Sequence, residues 1–407
     1  MTVRSFRATV YSLALGQLLS WAFLYFAFSS FVLPMRQSLG WSEPELMGAF
    51  TLGLGVWGLA SYGVGAAIDR GRGRAVMTLG GVLGGAGFLL WSGVETLPVL
   101  YAAWALIGAS MAMLLYEPAF AILAKRYPRD YRGGITTLTL FGGFGSTLSF
   151  TLVAWLIARH DWRTALLLIA LIQLMFVAPL HAWALRGRPN ADPPPGGASS
   201  PRGTDSAGEA TLREALRGAS FWLLTAAFTL YAFVAAGIWA HMMPALASKG
   251  QTASQALEVV VWFGPAQVLG RLAFLLLDRH YATSQATRAM GIVVLGSLAA
   301  SLTVFALAES TWALRLFAVT FGISNGLVTI VRGGIVPEYF GRTEVGRISG
   351  TMSAISLVTR AFAPVLTAWA LVALEGYGPM LAMLAGLGGL AVLSFAAARK
   401  PGRPNPV

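Results

Sequence analysis

Four charged side chains, Glu117, Arg271, Arg332 and Arg360, sit well inside long apolar runs of this 407-residue chain. All four are suited to handling charge: a guanidinium grips an anion through its planar fork, and a carboxylate can carry a proton. A charge in hydrocarbon costs about 2.5–3.5 kcal/mol, so it is kept where it faces a protein interior, a water-filled cavity or a substrate. Helical rise sets the depth of each. At about 1.5 Å per residue, Arg332 is ~9 Å from Glu338 and Arg271 ~10 Å from Asp278, near enough to snorkel to an interface. Arg360 lies thirteen residues from Arg347 and fifteen from Glu375. It is therefore about 20 Å from either end of its run and cannot escape.

Glu117 is about 12 Å from Lys125 by the same rise, and Pro118 follows it. Two readings stand equal. Glu117 is a proton carrier, since burial raises and a nearby arginine lowers a carboxylate's proton affinity, or it is the fixed partner of Arg332. The two occupy near-equivalent depths in the two halves of the chain.

The elements that must position these groups are membrane helices. The chain is 56% hydrophobic and only 11% charged, too apolar for an ordinary soluble protein. About 20 apolar residues cross the bilayer. Twelve such runs, numbered here as spans 1 to 12, fall near residues 8–33, 46–68, 75–94, 98–123, 134–158, 163–185, 220–247, 257–277, 288–308, 311–336, 348–373 and 378–398. Arg4 and Arg7 precede a first run too long for a signal peptide, so it is expected to remain as span 1. The net charge of +12 would suggest nucleic acid in a soluble protein, but the Lys and Arg residues occupy short loops. Of these, 21 lie on one side and 5 on the other, which by the positive-inside rule puts both termini in the cytoplasm. No nucleic-acid partner is implied. The absence of cysteine excludes disulfides and thiol chemistry, and the absence of any Gly-Lys dipeptide excludes a Walker A loop. Energy must come from a gradient or from the substrate.

Four segments follow: an N-terminal six-helix bundle (1–185), a cytoplasmic linker (186–219), a C-terminal six-helix bundle (220–398) and a cytoplasmic tail (399–407). The linker is rich in Pro, Gly and Ser, and Leu212 and Leu216 within it have the spacing of a short amphipathic helix on the membrane surface. Asp69-Arg70 closes span 2, and Asp278-Arg279 closes span 8, 209 residues later. That recurrence argues for two related, pseudo-symmetric halves. The glycines of span 3, Gly80, Gly81, Gly84 and Gly85, are small-residue packing positions.

The stretch Gly65-Ala66-Ala67-Ile68-Asp69-Arg70, followed by Gly71-Arg72-Gly73-Arg74, resembles the loop between the second and third helices of the major facilitator superfamily. The resemblance implies an all-α fold of twelve helices in two six-helix bundles, with Asp69, Arg70, Asp278 and Arg279 gating one alternating-access state. An extra residue separates Asp-Arg from Gly-Arg here. Within that superfamily, the segment Gly264-Pro265-Ala266-Gln267-Val268-Leu269-Gly270-Arg271 is similar to the monocarboxylate porter and oxalate/formate antiporter branch, as is Leu39-Gly40-Trp41-Ser42 after span 1. In that branch the span-8 arginine receives a carboxylate, so Arg271 takes that role by resemblance. Gln267 stands one turn earlier on the same face, where some members have an acid. Where several relatives have a cation in span 1, this chain offers Gln17, Trp21, Tyr25 and Ser29. Superfamily members are commonly monomers, and a monomer is implied.

Asn325, Thr329 and Arg332 share one face of span 10, and Thr139, Gly143 and Ser146 one face of span 5. They are candidate cavity linings, although Ser and Thr in membrane helices commonly bond their own backbone. His241, toward the outer end of span 7, reads as a lone interfacial histidine. No cluster of acids, histidines or metal ligands suggests an enzyme, and neither a cofactor nor a metal is expected. The function expected is secondary active transport of a small organic anion, with protons as coupling partner, in a bacterial inner membrane. Arg271, Arg360, Gln267, Asn325, Tyr25 and Trp21 are the expected binding residues, and Glu117 and Arg332 the expected coupling groups. The competing reading is an exporter of amphipathic or aromatic compounds, for which Trp21, Tyr25, Phe28, Tyr116, Tyr231 and Trp262 would supply stacking surfaces.

Overall fold

The computed structural model describes residues 5–127, 130–187, 210–281, 284–341 and 344–400. Twelve helices in it are long and apolar enough to cross a membrane, from Phe6–Leu39 at one end of the chain to Tyr377–Ala397 at the other. The described residues form no strand. This is what hydrocarbon demands: a spanning segment must satisfy its backbone internally, and the helix does so within one segment. Short polar signals set the helix starts. Ser42 and Glu45 form a capping box that opens span 2 (Glu43–Asp69), Asp161 accepts from the amides of Arg163 and Thr164 to open span 6 (Trp162–Ala184), and Thr252 with Gln255 opens span 8 (Ala253–Phe274).

The chain divides into two compact units. Unit 1 comprises Met1–Pro194, Trp239–Pro265 and Pro364–Trp369, and unit 2 comprises Pro195–Ile238, Ala266–Ala363 and Ala370–Val407. Spans 7 (Ala219–Ser248), 8 and 11 (Arg347–Ala373) each contribute residues to both.

Unit 1 is built around aromatic rings and close backbone approach. Phe28 and Phe50 stack at 4.6 Å, Trp104 meets each edge-on at 5.0 Å, and Trp91 meets Trp104 at 5.1 Å, tying spans 1 to 4 together. Gly108 lets span 4 (Leu97–Arg126) touch span 2: a Cβ there would lie 2.1 Å from the Gly53 carbonyl oxygen. The span-3 glycines divide by face. Gly80 and Gly84 meet span 4 at Met113 and Ser110, while Gly81 and Gly85 meet span 6 at Ala178 and Leu174. In unit 2, Phe305 and Phe317 stack at 4.1 Å, and Phe221, Phe228, Val331, Ile335, Phe340 and Phe395 belong to one buried cluster.

The linker residues 188–209 and tail residues 401–407 lie outside the described residues. The linker helix is present as Leu212–Arg217, capped by Thr211 and Glu214. Leu212 and Leu216 pack against the core of unit 2, so protein covers the apolar face expected on the membrane surface. The Glu344 carboxylate accepts from the Leu212 amide at 2.7 Å. That bond, together with Arg347, holds the Glu344 carboxyl below its ordinary range.

Span 4 is not continuous. It runs as Leu97–Leu114, breaks at Leu115, which has extended geometry, and resumes as Tyr116–Arg126. Pro118 is the cause. Its nitrogen has no hydrogen for the Leu114 carbonyl, and its ring would collide with that carbonyl in a straight helix. In the first turn of a new helix the missing donor costs nothing. The freed Leu114 carbonyl is met from span 1: Gln17 Nε2 donates to Leu114 O at 2.5 Å and to Leu115 O at 3.3 Å. Replacing Gln17 with Leu leaves the Leu114 carbonyl in an apolar setting, a cost of about 1–3 kcal/mol. Gln17→Leu is expected to lower the midpoint of thermal unfolding in detergent, with Gln17→Glu lowering it further at a pH that keeps the carboxylate ionised, because a carboxylate offers only acceptors to acceptors. A midpoint unchanged in both would remove Gln17 from the support of the break.

Candidate functional site

The expected site residues fall in both units, and each unit is described by itself. In unit 1, span 1 (Phe6–Leu39) loosens into a π-helical turn over Trp21–Phe26, a distortion that often accompanies function. Trp21 and Tyr25 both belong to this turn. The Trp21 ring lies 4.9 Å from Tyr116, 5.5 Å from Tyr25 and 6.1 Å from Trp57. Its Nε1 is buried with no acceptor among the described residues. Beside Tyr116, Glu117 occupies the first turn of the resumed helix and is exposed. An acidic residue suits that position, where the helix dipole is positive.

Asp69 does find a cation, and within its own unit: Lys125 Nζ is 2.5 Å from Asp69 Oδ1. With Asp69 72% and Lys125 46% exposed, the pair has little stabilising value by itself. Arg70 ends span 2 as its exposed C-cap. The side chains of Asp278 and Arg279 lie outside the described residues. Arg126, counted in the sequence only as one of the loop cations, is buried and donates to the carbonyls of Leu185 (3.1 Å) and Arg186 at the end of span 6.

His241 departs from its sequence reading. It is 1% exposed rather than interfacial, and it has partners. Its Nδ1 is 3.0 Å from Glu43 Oε1, its Nε2 is 3.3 Å from the Pro364 carbonyl, and Arg36 Nη1 is 3.1 Å from Glu43 Oε2. Glu43 drew no attention in the sequence because it opens span 2 immediately after a cap residue. Nothing local signals a partner 198 residues away.

Unit 2 assembles a polar chain on spans 7, 8 and 10 (Thr311–Phe340). The Tyr231 hydroxyl donates to Asn325 Oδ1 at 2.5 Å, and Asn325 Nδ2 donates to Gln267 Oε1 at 3.2 Å. One turn beyond Gln267, Arg271 is 9% exposed and its Nε donates to the Gly326 carbonyl at 3.2 Å. Gly326 makes that approach possible, since a Cβ there would lie 2.5 Å from the Gln267 carbonyl oxygen. Three of the expected residues, Gln267, Asn325 and Arg271, therefore share one locality.

The other two deep arginines of unit 2 form a second locality. Arg332 Nη2 donates to Ser353 Oγ at 2.9 Å, its guanidinium lies 5.6 Å over the Phe228 ring, and it lies within electrostatic range of Arg360. Both arginines are partly buried. Two like charges held near one another in a medium of low dielectric favour the arrival of an anion. Thr139 and Thr329 bond carbonyls of their own helices, at Thr136 (2.9 Å) and Gly326 (3.2 Å). Among the described residues, no group of three or more His, Cys, Asp or Glu side chains is placed to hold a metal ion.

Comparison with known proteins agrees with this architecture. A model of the Major Facilitator Superfamily matches residues 13–307. Monocarboxylate transporter 13 of Rattus norvegicus is 28% identical over 298 residues, 72% of this chain and 65% of that protein. Its Bos taurus counterpart is 27% identical over 272 residues, 67% of this chain and 60% of that protein. The chain thus spans less than two thirds of the length of these relatives. Two crystal structures of a bacterial homolog of the human lysosomal transporter Spinster are similar in fold. The inward-facing, occupied form has a TM-score of 0.64 at 16% identity, over 98% of this chain and 93% of that one. The inward-facing, unoccupied form has a TM-score of 0.65 at 15% identity, over 97% and 93%. The family model spans well over half the sequence, and the fold likeness extends over nearly all of it, so the chain belongs to the Major Facilitator Superfamily, a family of transporters rather than of enzymes.

Proposed function

We propose that this protein is a secondary active transporter of a small organic anion of the carboxylate class, coupled to protons and working by alternating access of its two six-helix halves. The observation that carries the reading is Arg271: a buried guanidinium on span 8, flanked by the Tyr231–Asn325–Gln267 hydrogen-bond chain. A guanidinium offers a carboxylate two parallel donors, and the amides and phenol beside it offer donors and acceptors for a neighbouring hydroxyl or keto group. The likeness to the monocarboxylate transporters adds to this reading. So does the proximity of Arg332 and Arg360, a second local excess of positive charge. Coupling is assigned to Glu117, which is exposed at the break in span 4, where a discontinuous helix presents its terminus. The lysine and arginine distribution supports a cytoplasmic location of both termini, and the reading is of a monomer in a bacterial inner membrane.

The competing reading, export of amphipathic or aromatic compounds, draws on one observation: the rings of Trp21, Tyr25, Trp57 and Tyr116 gather around the π-turn. Counterflow in proteoliposomes against a panel of monocarboxylates, dicarboxylates and amphipathic cations separates the two. Under the anion reading, Arg271→Gln removes a charge-assisted contact worth about 1.5–3 kcal/mol and lowers counterflow roughly 10- to 150-fold. Arg271→Lys retains the charge, loses the fork and is expected to fall between. Competition by the cations alone would overturn the anion assignment. Coupling is tested separately: Glu117→Gln is expected to abolish accumulation driven by a pH gradient while leaving exchange of labelled for unlabelled substrate intact. Accumulation at the unmodified level in that variant would exclude Glu117 as the proton carrier.

A further inference from the structure

A buried pair of titratable side chains, His241 and Glu43, lies away from both Glu117 and Arg271 along the sequence. Unit 1 includes two stretches from the later half of the chain, Trp239–Pro265 and Pro364–Trp369. Polar contacts join these stretches to the spans around them. The Met243 amide donates to Ser29 Oγ at 2.9 Å, and the Val365 amide to Thr51 Oγ1 at 3.2 Å. Thr147 Oγ1 donates to the Val261 carbonyl at 2.8 Å and accepts from the Gly264 amide at 3.0 Å. The contact that carries charge is His241, 1% exposed, with Glu43, 5% exposed.

The heavy-atom positions count the protons. Pro364 O is a carbonyl and can only accept, so the 3.3 Å contact with Nε2 requires a hydrogen on Nε2. Glu43 Oε1 lies 3.0 Å from Nδ1. A neutral imidazole that keeps its hydrogen on Nε2 presents a lone pair at Nδ1, which would face a carboxylate oxygen, acceptor against acceptor. Moving the hydrogen to Nδ1 repairs that contact and spoils the one to Pro364. Both contacts hold together only when one more proton lies between Nδ1 and Oε1, either as imidazolium with carboxylate or as imidazole with carboxylic acid. Arg36 Nη1 lies 3.1 Å from the other carboxylate oxygen. Among the groups around His241 are the Glu43 carboxylate of span 2, with the Arg36 guanidinium of span 1 behind it, and the backbone carbonyl of Pro364 on span 11.

We propose that the His241–Glu43 pair is a proton-binding latch: with its proton it ties span 7 to span 2 and to the Pro364 turn of span 11, and without its proton the tie opens. Loss of the proton leaves no placement of the remaining hydrogen that satisfies Glu43 and Pro364 together. The buried pair then forfeits a hydrogen bond and sets two acceptors face to face. The proton is the ligand, and its site lies between Glu43, with Arg36 behind it, and His241. The significance of the latch for transport rests on the alternating-access reading. Its existence does not, and it is tested without any substrate.

The chain has no cysteine, so Ser29→Cys introduces a unique thiol at a position 1% exposed and facing span 7. Its rate of labelling by a membrane-impermeant maleimide, divided by the rate of the same thiol in denatured protein, reports opening alone. Between about pH 5 and about pH 8, the corrected rate is expected to rise about 3- to 10-fold, the equivalent of one hydrogen bond. Adding His241→Gln is expected to flatten the profile, and adding Glu43→Gln to do the same independently, so a folding defect in one variant leaves the other to decide. A flat profile with His241 present overturns the latch. So does a profile that keeps its full pH dependence in either variant. Because no transported compound enters the measurement, failure here is distinguishable from failure of the carboxylate assignment.

Discussion

In hydrocarbon a backbone carbonyl freed from its helix has no water to turn to, and the arrangement of this protein depends on how those carbonyls are met. Several backbone groups in the spans are met by polar side chains from other spans. The Pro118 break in span 4 is answered by Gln17. The Pro364 turn in span 11 is answered by His241 on its carbonyl and by Thr51 on the Val365 amide. The end of span 6 is answered by Arg126 and the Gly326 carbonyl of span 10 by Arg271. The same side chains that satisfy irregular backbone are thereby fixed in place, and several are the ones available for chemistry.

That coupling explains why the deep charges are not equivalent. Arg271 has its Nε committed to a neighbouring helix, so its fork is oriented by the backbone and not by its own flexible stem. Arg332 is held from two directions, by the Ser353 hydroxyl and by the face of Phe228. An arginine fixed this way loses less freedom on meeting an anion, which is where the advantage of a guanidinium over an ammonium lies. Glu117 is the contrary case. It is exposed and stands at a helix break, where the chain can move a carboxylate at least cost.

Much of this was legible in the sequence, and the parts that were not share a cause. Twelve apolar runs appear as twelve spans because length and hydropathy are local properties. Gln267 and Arg271 were readable as one face because four residues make one turn, whereas the hydrogen bond that joins Asn325 to Gln267 links two helices and has no local signal. Unreadable were contacts that link positions far apart: Glu43 with His241, Arg126 with the end of span 6, and Gln17 with a break that Pro118 announces but does not cap. The linker helix shows the same limit. Leu212 and Leu216 have amphipathic spacing, but spacing cannot distinguish a lipid surface from the core of unit 2, which is where they pack.

The two units do not coincide with the two sequence halves, and the points of passage are informative. Span 8 passes between units at Pro265 and span 11 at Pro364 and again after Trp369, while span 7 passes between Ile238 and Trp239. A proline withholds one backbone hydrogen bond and pushes back the carbonyl four residues earlier, so a helix bends there at lower cost than elsewhere. Both prolines are accompanied by polar contacts on the unit 1 side, Thr147 on the Gly264 amide and His241 on the Pro364 carbonyl. The backbone is thus most compliant just where side chains, one of them titratable, hold it. Compliance without such contacts would leave these helix ends free in every state, and contacts without compliance would leave them rigid. The proposed latch needs both: compliance to let the helix ends move, and contacts that the loss of one proton can break.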